Sequence, residues 1–142
     1  MPSTYSPNLR IELIGSGEQA NTWGNTTNVN LGTLIEEAIS GIVDVDVTAG
    51  NVTLTALNGL TDQSRQMILN VTGTPGVDRT LTAPAVSKLY IVANNSNADV
   101  YLITSAAGDT VLIPEGLTFP VYSDGVDFSV VGFQVTQIGL RS

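Results

Sequence analysis

The sequence predicts an all-β chain: an antiparallel β-sandwich of about eight short strands, preceded by an extended arm and one short helix. Three observations lead there. After Gly41, apolar and polar residues alternate in short runs, the period of a half-buried strand. Those runs are separated by turns rich in Gly, Asn and Pro, each suited to a reversal of the chain. Before Gly41, a single stretch with apolar spacings of three and four follows a polar lead that has too few apolar residues to build a core of its own.

The boundaries follow from the same patterns: an extended arm over 1–29, an amphipathic helix over 30–41 and a β-module over 42–142. In the arm, Leu9, Ile11 and Leu13 alternate with Arg10 and Glu12, a short strand that Gly15-Ser16-Gly17 stops. Asn30 is a good N-cap, with Val29 and Leu34 at staple spacing. Leu31, Leu34, Ile35, Ala38 and Ile39 then form one apolar stripe, with Glu36 and Glu37 facing water and Gly41 placed to end the helix. So short a helix is unstable alone, and its stripe is expected to pack on the sheet or on another subunit.

In the β-module, Val43–Val47 and Val52–Ala56 flank Gly50-Asn51, which predicts a hairpin. Strands follow over 64–72, 80–83, 88–93, 99–104, 110–113, 117–122 and 128–134. Asp124-Gly125 is the strongest local hairpin signal.

Composition narrows the function. The chain has 142 residues, no Cys, no His and a net charge of -8. Thiolate metal sites, disulfides and histidine-based triads are thereby excluded. The charge argues against nucleic acid, which needs clustered Lys and Arg, and Arg10, Arg65, Arg79, Lys88 and Arg141 read as scattered. No run of 18 apolar residues is present, so no membrane span is expected, and the first residues carry no basic leader with an apolar segment. Gly15-Ser16-Gly17 lacks the remaining residues of a phosphate-binding loop. Asp44 and Asp46 share a strand face and read as solvated. A glycan hydrolase would need two carboxylates across a cleft, and the sequence marks no such pair. No catalytic, cofactor or metal residue is therefore expected.

Trp23 stands out as an aromatic among Asn21, Thr22, Gly24 and Asn25. It can plug back over the sheet or helix, anchor a protein interface, or serve as a sugar platform. The residues expected to form an interface are Leu9, Ile11, Leu13, Trp23, Leu31, Leu34, Ile35 and Ile39.

Residues 9–41 carry an ordered set: Gly15, Gly17-Glu18, Thr22-Trp23-Gly24, Asn28, Asn30-Leu31-Gly32 and Ile39-Ser40-Gly41. This set resembles the opening of tail-fibre proteins of tailed bacteriophages, particularly phages of marine bacteria and cyanobacteria. Arg65-Gln66-Met67, Thr82-Ala83-Pro84, the run from Lys88 to Asn95 and Pro114-Glu115-Gly116 resemble the β-rich module that follows in that family. The resemblance implies a virion structural protein that is a homotrimer and binds other tail proteins. Family members continue into a shaft and a receptor-binding tip, for which 142 residues leave no room. The expectation is thus fibre attachment and assembly, with a capsid decoration protein or a cell-surface carbohydrate-binding module as the alternatives.

Overall fold

The computed structural model describes residues 2–132. Its strands are β1 (Thr4–Tyr5), β2 (Glu12–Leu13), β3 (Ile42–Asp46), β4 (Val52–Thr53), β5 (Ile68–Thr72), β6 (Arg79–Ala83), β7 (Ser87–Asn94), β8 (Val100–Thr104), β9 (Val111–Ile113), β10 (Thr118–Asp124) and β11 (Phe128–Val130). Two sheets face each other, with orders β11-β10-β7-β5-β3 and β4-β6-β8-β9. The chain is therefore dominated by β-structure, but the sheets are mixed.

From β3 to β8 the chain alternates between the sheets, so β3, β5 and β7 run parallel in one and β4, β6 and β8 run parallel in the other. Each strand of one sheet acts as the crossover that a parallel pair in the other requires. The direction then reverses. β9 returns antiparallel to β8, β10 antiparallel to β7, and β11 closes the hairpin at Asp124. Three wound turns capped by a reversed fourth replace the antiparallel sandwich predicted from the sequence. The predicted hairpin at Gly50-Asn51 is likewise corrected: β3 and β4 lie in different sheets, and the turn is a corner between layers.

Alternation places the core where the pattern predicts. Leu69, Val71, Tyr90, Val92, Val121 and Phe128 project from one sheet towards Leu81, Ala83, Val100, Leu102, Val111 and Ile113 of the other. Register stacks these residues in rows, Leu69 beside Val92 and Leu81 beside Leu102. On the outside, Asn70 Nδ2 donates to Asp44 Oδ1 at 2.8 Å and Asn95 Nδ2 donates to Asn70 Oδ1 at 2.6 Å. This polar ladder spans the wound turns, and its continuity depends on the parallel register. The rest of the predicted strand 128–134 beyond residue 132 falls outside the described residues.

The helix starts earlier than predicted. It runs as α1 (Trp23–Val29), a π-helical segment (Asn30–Ile35) and α2 (Glu36–Ser40). Asn30 is not an N-cap. Its amide pairs with the backbone of Glu12 on both sides, accepting from Glu12 N at 3.1 Å and donating to Glu12 O at 2.9 Å. The side chain thus behaves as an extra strand beside β2. At Gly41 the chain passes so close to Glu37 that a Cβ would lie 2.6 Å from its carbonyl oxygen, so only glycine fits this junction.

Candidate functional site

The segment 2–41 is fastened to the β-body by a buried ionic cluster, built around one carboxylate. Asp62 precedes the 3-10 turn Gln63–Arg65, and its Oδ1 accepts the Arg65 amide at 2.7 Å. Its Oδ2 accepts from Leu57 N at 2.6 Å, from Arg10 Nη2 at 3.0 Å and from Arg65 Nη2 at 3.4 Å. Arg10 also reaches Ser64 Oγ at 3.0 Å and Leu57 O at 3.3 Å. The Arg65 guanidinium donates to the carbonyl of Leu9, and to those of Leu57 and Leu60 at 2.9 Å each. Its Nε has no partner, an orphan donor of the kind native interiors seldom keep.

Lys88 joins from β7. Its Nζ donates to Gln66 O at 3.3 Å and to Leu89 O at 3.0 Å, and sits 4.4 Å from the centre of the Tyr90 ring. The Tyr90 hydroxyl donates to Ser64 O at 2.9 Å. Three of the five basic residues therefore surround one acid, which corrects the reading of them as scattered.

The electrostatics follow from burial. Desolvation, reinforced by the like charges of Arg10 and Arg65 and opposed by Asp62, pushes the Lys88 ammonium down to about 8. Burial pushes the Tyr90 phenol up and the Arg65 guanidinium down. A lysine with such a lowered value has the profile of a nucleophilic amine, but both carbonyl contacts and the ring occupy its donors. The cluster is a fastening. Removing one member of a buried ion group costs roughly 3–5 kcal/mol, because the others stay buried without compensation.

The main chain of the arm bends to fit this fastening. Arg10 has φ 55°, a left-handed conformation that non-glycine residues seldom adopt. That kink breaks the strand predicted over residues 9–13, so only Glu12–Leu13 pairs, with Thr4–Tyr5. It also turns the alternation over: Arg10 is buried and Leu13 is 47 % exposed. Gly59 (φ 68°) donates its amide to Arg10 O at 2.7 Å, and a Cβ there would stand 3.0 Å from the Tyr5 ring. Asn8 Oδ1 accepts from Ser87 N at 3.0 Å, tying the arm to the start of β7.

Outward, the same segment exposes several large apolar side chains among polar ones. In the helix only Leu34 and Ala38 are buried. Trp23 and Leu31 are each 60 % exposed and Ile39 is 66 % exposed. Trp23 therefore does not fold back as a plug. Of the other residues singled out from sequence, Leu9, Ile11 and Ile35 are half-buried. Asp44 and Asp46 are both exposed, and Thr48 hydrogen bonds hold the Asp46 carboxyl below its ordinary range.

Between the helix and the loop before Asp62 lies a shallow recess of about 230 Å³, with Glu12 and Asn30 in its wall, Gly59 at its edge and Val29 and Leu60 as its apolar lips. Leu60 is 60 % exposed. Among the described residues no group of three acidic side chains is placed to hold a metal ion, and no helix is long and apolar enough to cross a membrane.

The cluster was missed in the sequence for want of a pairing rule, although one signal was present. Lys88 shares the inward side of β7 with Tyr90 and Val92 by simple alternation, and a lysine on a core face needs buried partners.

Compared with models of known protein families and with curated proteins, the chain matches none. A solved structure of a chaperone–substrate complex is similar to it with a TM-score of 0.37 and 18% identity, over 65% of this chain and 17% of that one. A likeness at that level implies neither a shared fold nor a shared function.

Proposed function

We propose that this chain is a structural attachment module of a bacteriophage virion, a tail-fibre or adaptor component that works by docking and not by catalysis. One observation carries the reading. The helix Trp23–Ser40 buries Leu34 and Ala38 and leaves Trp23, Leu31 and Ile39 between 60 and 66 % exposed. Large apolar side chains left exposed along one element are a usual mark of a protein interface. The resemblance of residues 9–41 to the opening of tail-fibre proteins supports the same reading, since the exposed residues belong to that segment.

An antibody against the chain, applied to virions grown from the genome that encodes it, tests the proposal. Label at the tail, followed by assignment of the chain in a cryo-electron microscopy map with Trp23 covered by protein, is the expected result. Virions free of the chain would overturn it. A second reading, a carbohydrate platform, is favoured by the exposure of Trp23 between exposed Asn21 and Asn25. It predicts binding to a glycan array that Trp23→Ala abolishes.

A further inference from the structure

We infer that the recess beside the helix takes a basic, amphipathic protein segment, so that the partner of the attachment surface is cationic and is not a second copy of this chain. The inference rests on the attachment reading above and names the chemistry of the partner. Three features of the molecule converge on it.

Surface charge is one-sided. Of the four described basic residues, Arg10, Arg65 and Lys88 are buried in the ionic cluster, and Arg79 is half-buried with its guanidinium on the carbonyls of Val47 and Thr48. Eight carboxylates are exposed, and no described Lys or Arg is. Two copies brought face to face would juxtapose like charge, whereas a cationic partner gains attraction and a faster encounter.

The recess offers both halves of an amphipathic contact. Val29 and Leu60 give it an apolar part, with exposed Leu31 on the same helix, while Glu12, Asn25, Thr26 and Asn30 give it a polar, acidic part. Asn30 grips the Glu12 backbone on both sides and Gln19 Nε2 donates to Oε2. The carboxylate is thus held in place before a ligand arrives, and a partner does not have to order it. A Lys or Arg side chain can lay its methylene stem between the lips and present its head to Glu12.

Trp23, the sole tryptophan, begins the helix whose residues line the recess, and reports on docking without a label. The probe is a synthetic amphipathic Leu/Lys peptide, compared with Leu/Glu and Ser/Lys counterparts, read by Trp23 emission and by calorimetry. The expected result is a blue shift with the Leu/Lys peptide alone, weakened by added salt. Leu60→Ser should weaken binding about tenfold and Glu12→Gln about threefold or more, while Asp78→Asn, an exposed carboxylate elsewhere, leaves it unchanged. Leu60 is exposed, so its substitution leaves the fold intact for this comparison, which circular dichroism verifies. An equal response to the Leu/Glu peptide, an equal loss from Asp78→Asn, or no response would overturn the inference. So would a blue shift that grows with protein concentration in the absence of peptide, the sign of a second copy as occupant. That last result would leave the attachment reading standing, and only absence from virions removes it.

Discussion

Between the two sheets, Val47, Val71, Val92, Val100, Ile113 and Val121 are 0 % exposed and belong to one apolar cluster. In the segment 2–41, Leu34 and Ala38 are buried, Arg10 reaches the buried Asp62 carboxylate at 3.0 Å, and Trp23, Leu31 and Ile39 face solvent. The first region is joined by one apolar cluster; the second is tied to it by a buried ion pair and leaves Trp23, Leu31 and Ile39 uncovered. The difference teaches what each region is built to do. The body is held together by apolar burial, and the N-terminal layer is fastened to it by directional polar contacts, with Trp23, Leu31 and Ile39 left uncovered.

The comparison can be broken most sharply at its joint. Asp62→Ala strips the counter-charge from Arg10 and Arg65 and should cost roughly 3–5 kcal/mol in urea denaturation. Amide exchange should rise first across residues 2–41, because that layer loses its fastening before the body unfolds. Leu81→Ala, in the body, should cost about 2–5 kcal/mol through a cavity, with exchange rising through both sheets together. If Asp62→Ala loosened the sheets and spared the N-terminal layer, the contrast between the two regions would fail.

A smaller effect sharpens it through pH. Folded Lys88 gives up its proton near 8, the unfolded chain near 10.5. Between these values the unfolded state binds more protons, so stability rises with pH. Above 10.0, where unfolded Tyr90 ionises and its buried phenol does not, the slope turns downward. A gain of about 1–2 kcal/mol from pH 8 to pH 10 is expected, and Lys88→Met should flatten it. Denaturation midpoints across that range check the sign. Least of all, Trp23→Ser and Ile39→Ser should each move stability by no more than about 0.5 kcal/mol, since neither side chain is covered within the chain.

Much of the body was legible in the sequence, because alternation fixes which side chains face inwards regardless of the neighbour they meet. Strand order was not. A Gly-Asn corner between layers and a Gly-Asn hairpin have the same turn chemistry, so Val43–Val47 and Val52–Ala56 read as partners when each in fact pairs with a later strand. The helix was legible in its apolar stripe but not in its start, since Thr22 supplies no side-chain cap and Asn30, the apparent cap, is used to grip Glu12. Of the interface candidates, Trp23, Leu31 and Ile39 are exposed, whereas Leu34 is spent on the chain's own packing at 0 % exposed. The ionic cluster joins positions more than 50 residues apart, Arg10 to Asp62 and Leu9 to Arg65, a distance over which no local pattern carries information.

Accessibility of Trp23 to a neutral quencher, in the isolated chain and in the particle that incorporates it, tests the central claim most directly. The account predicts free quenching and a water-like emission in the isolated chain, and protection with a blue-shifted emission once attached. A tryptophan already protected in the isolated chain, or equally quenched in both, would contradict it.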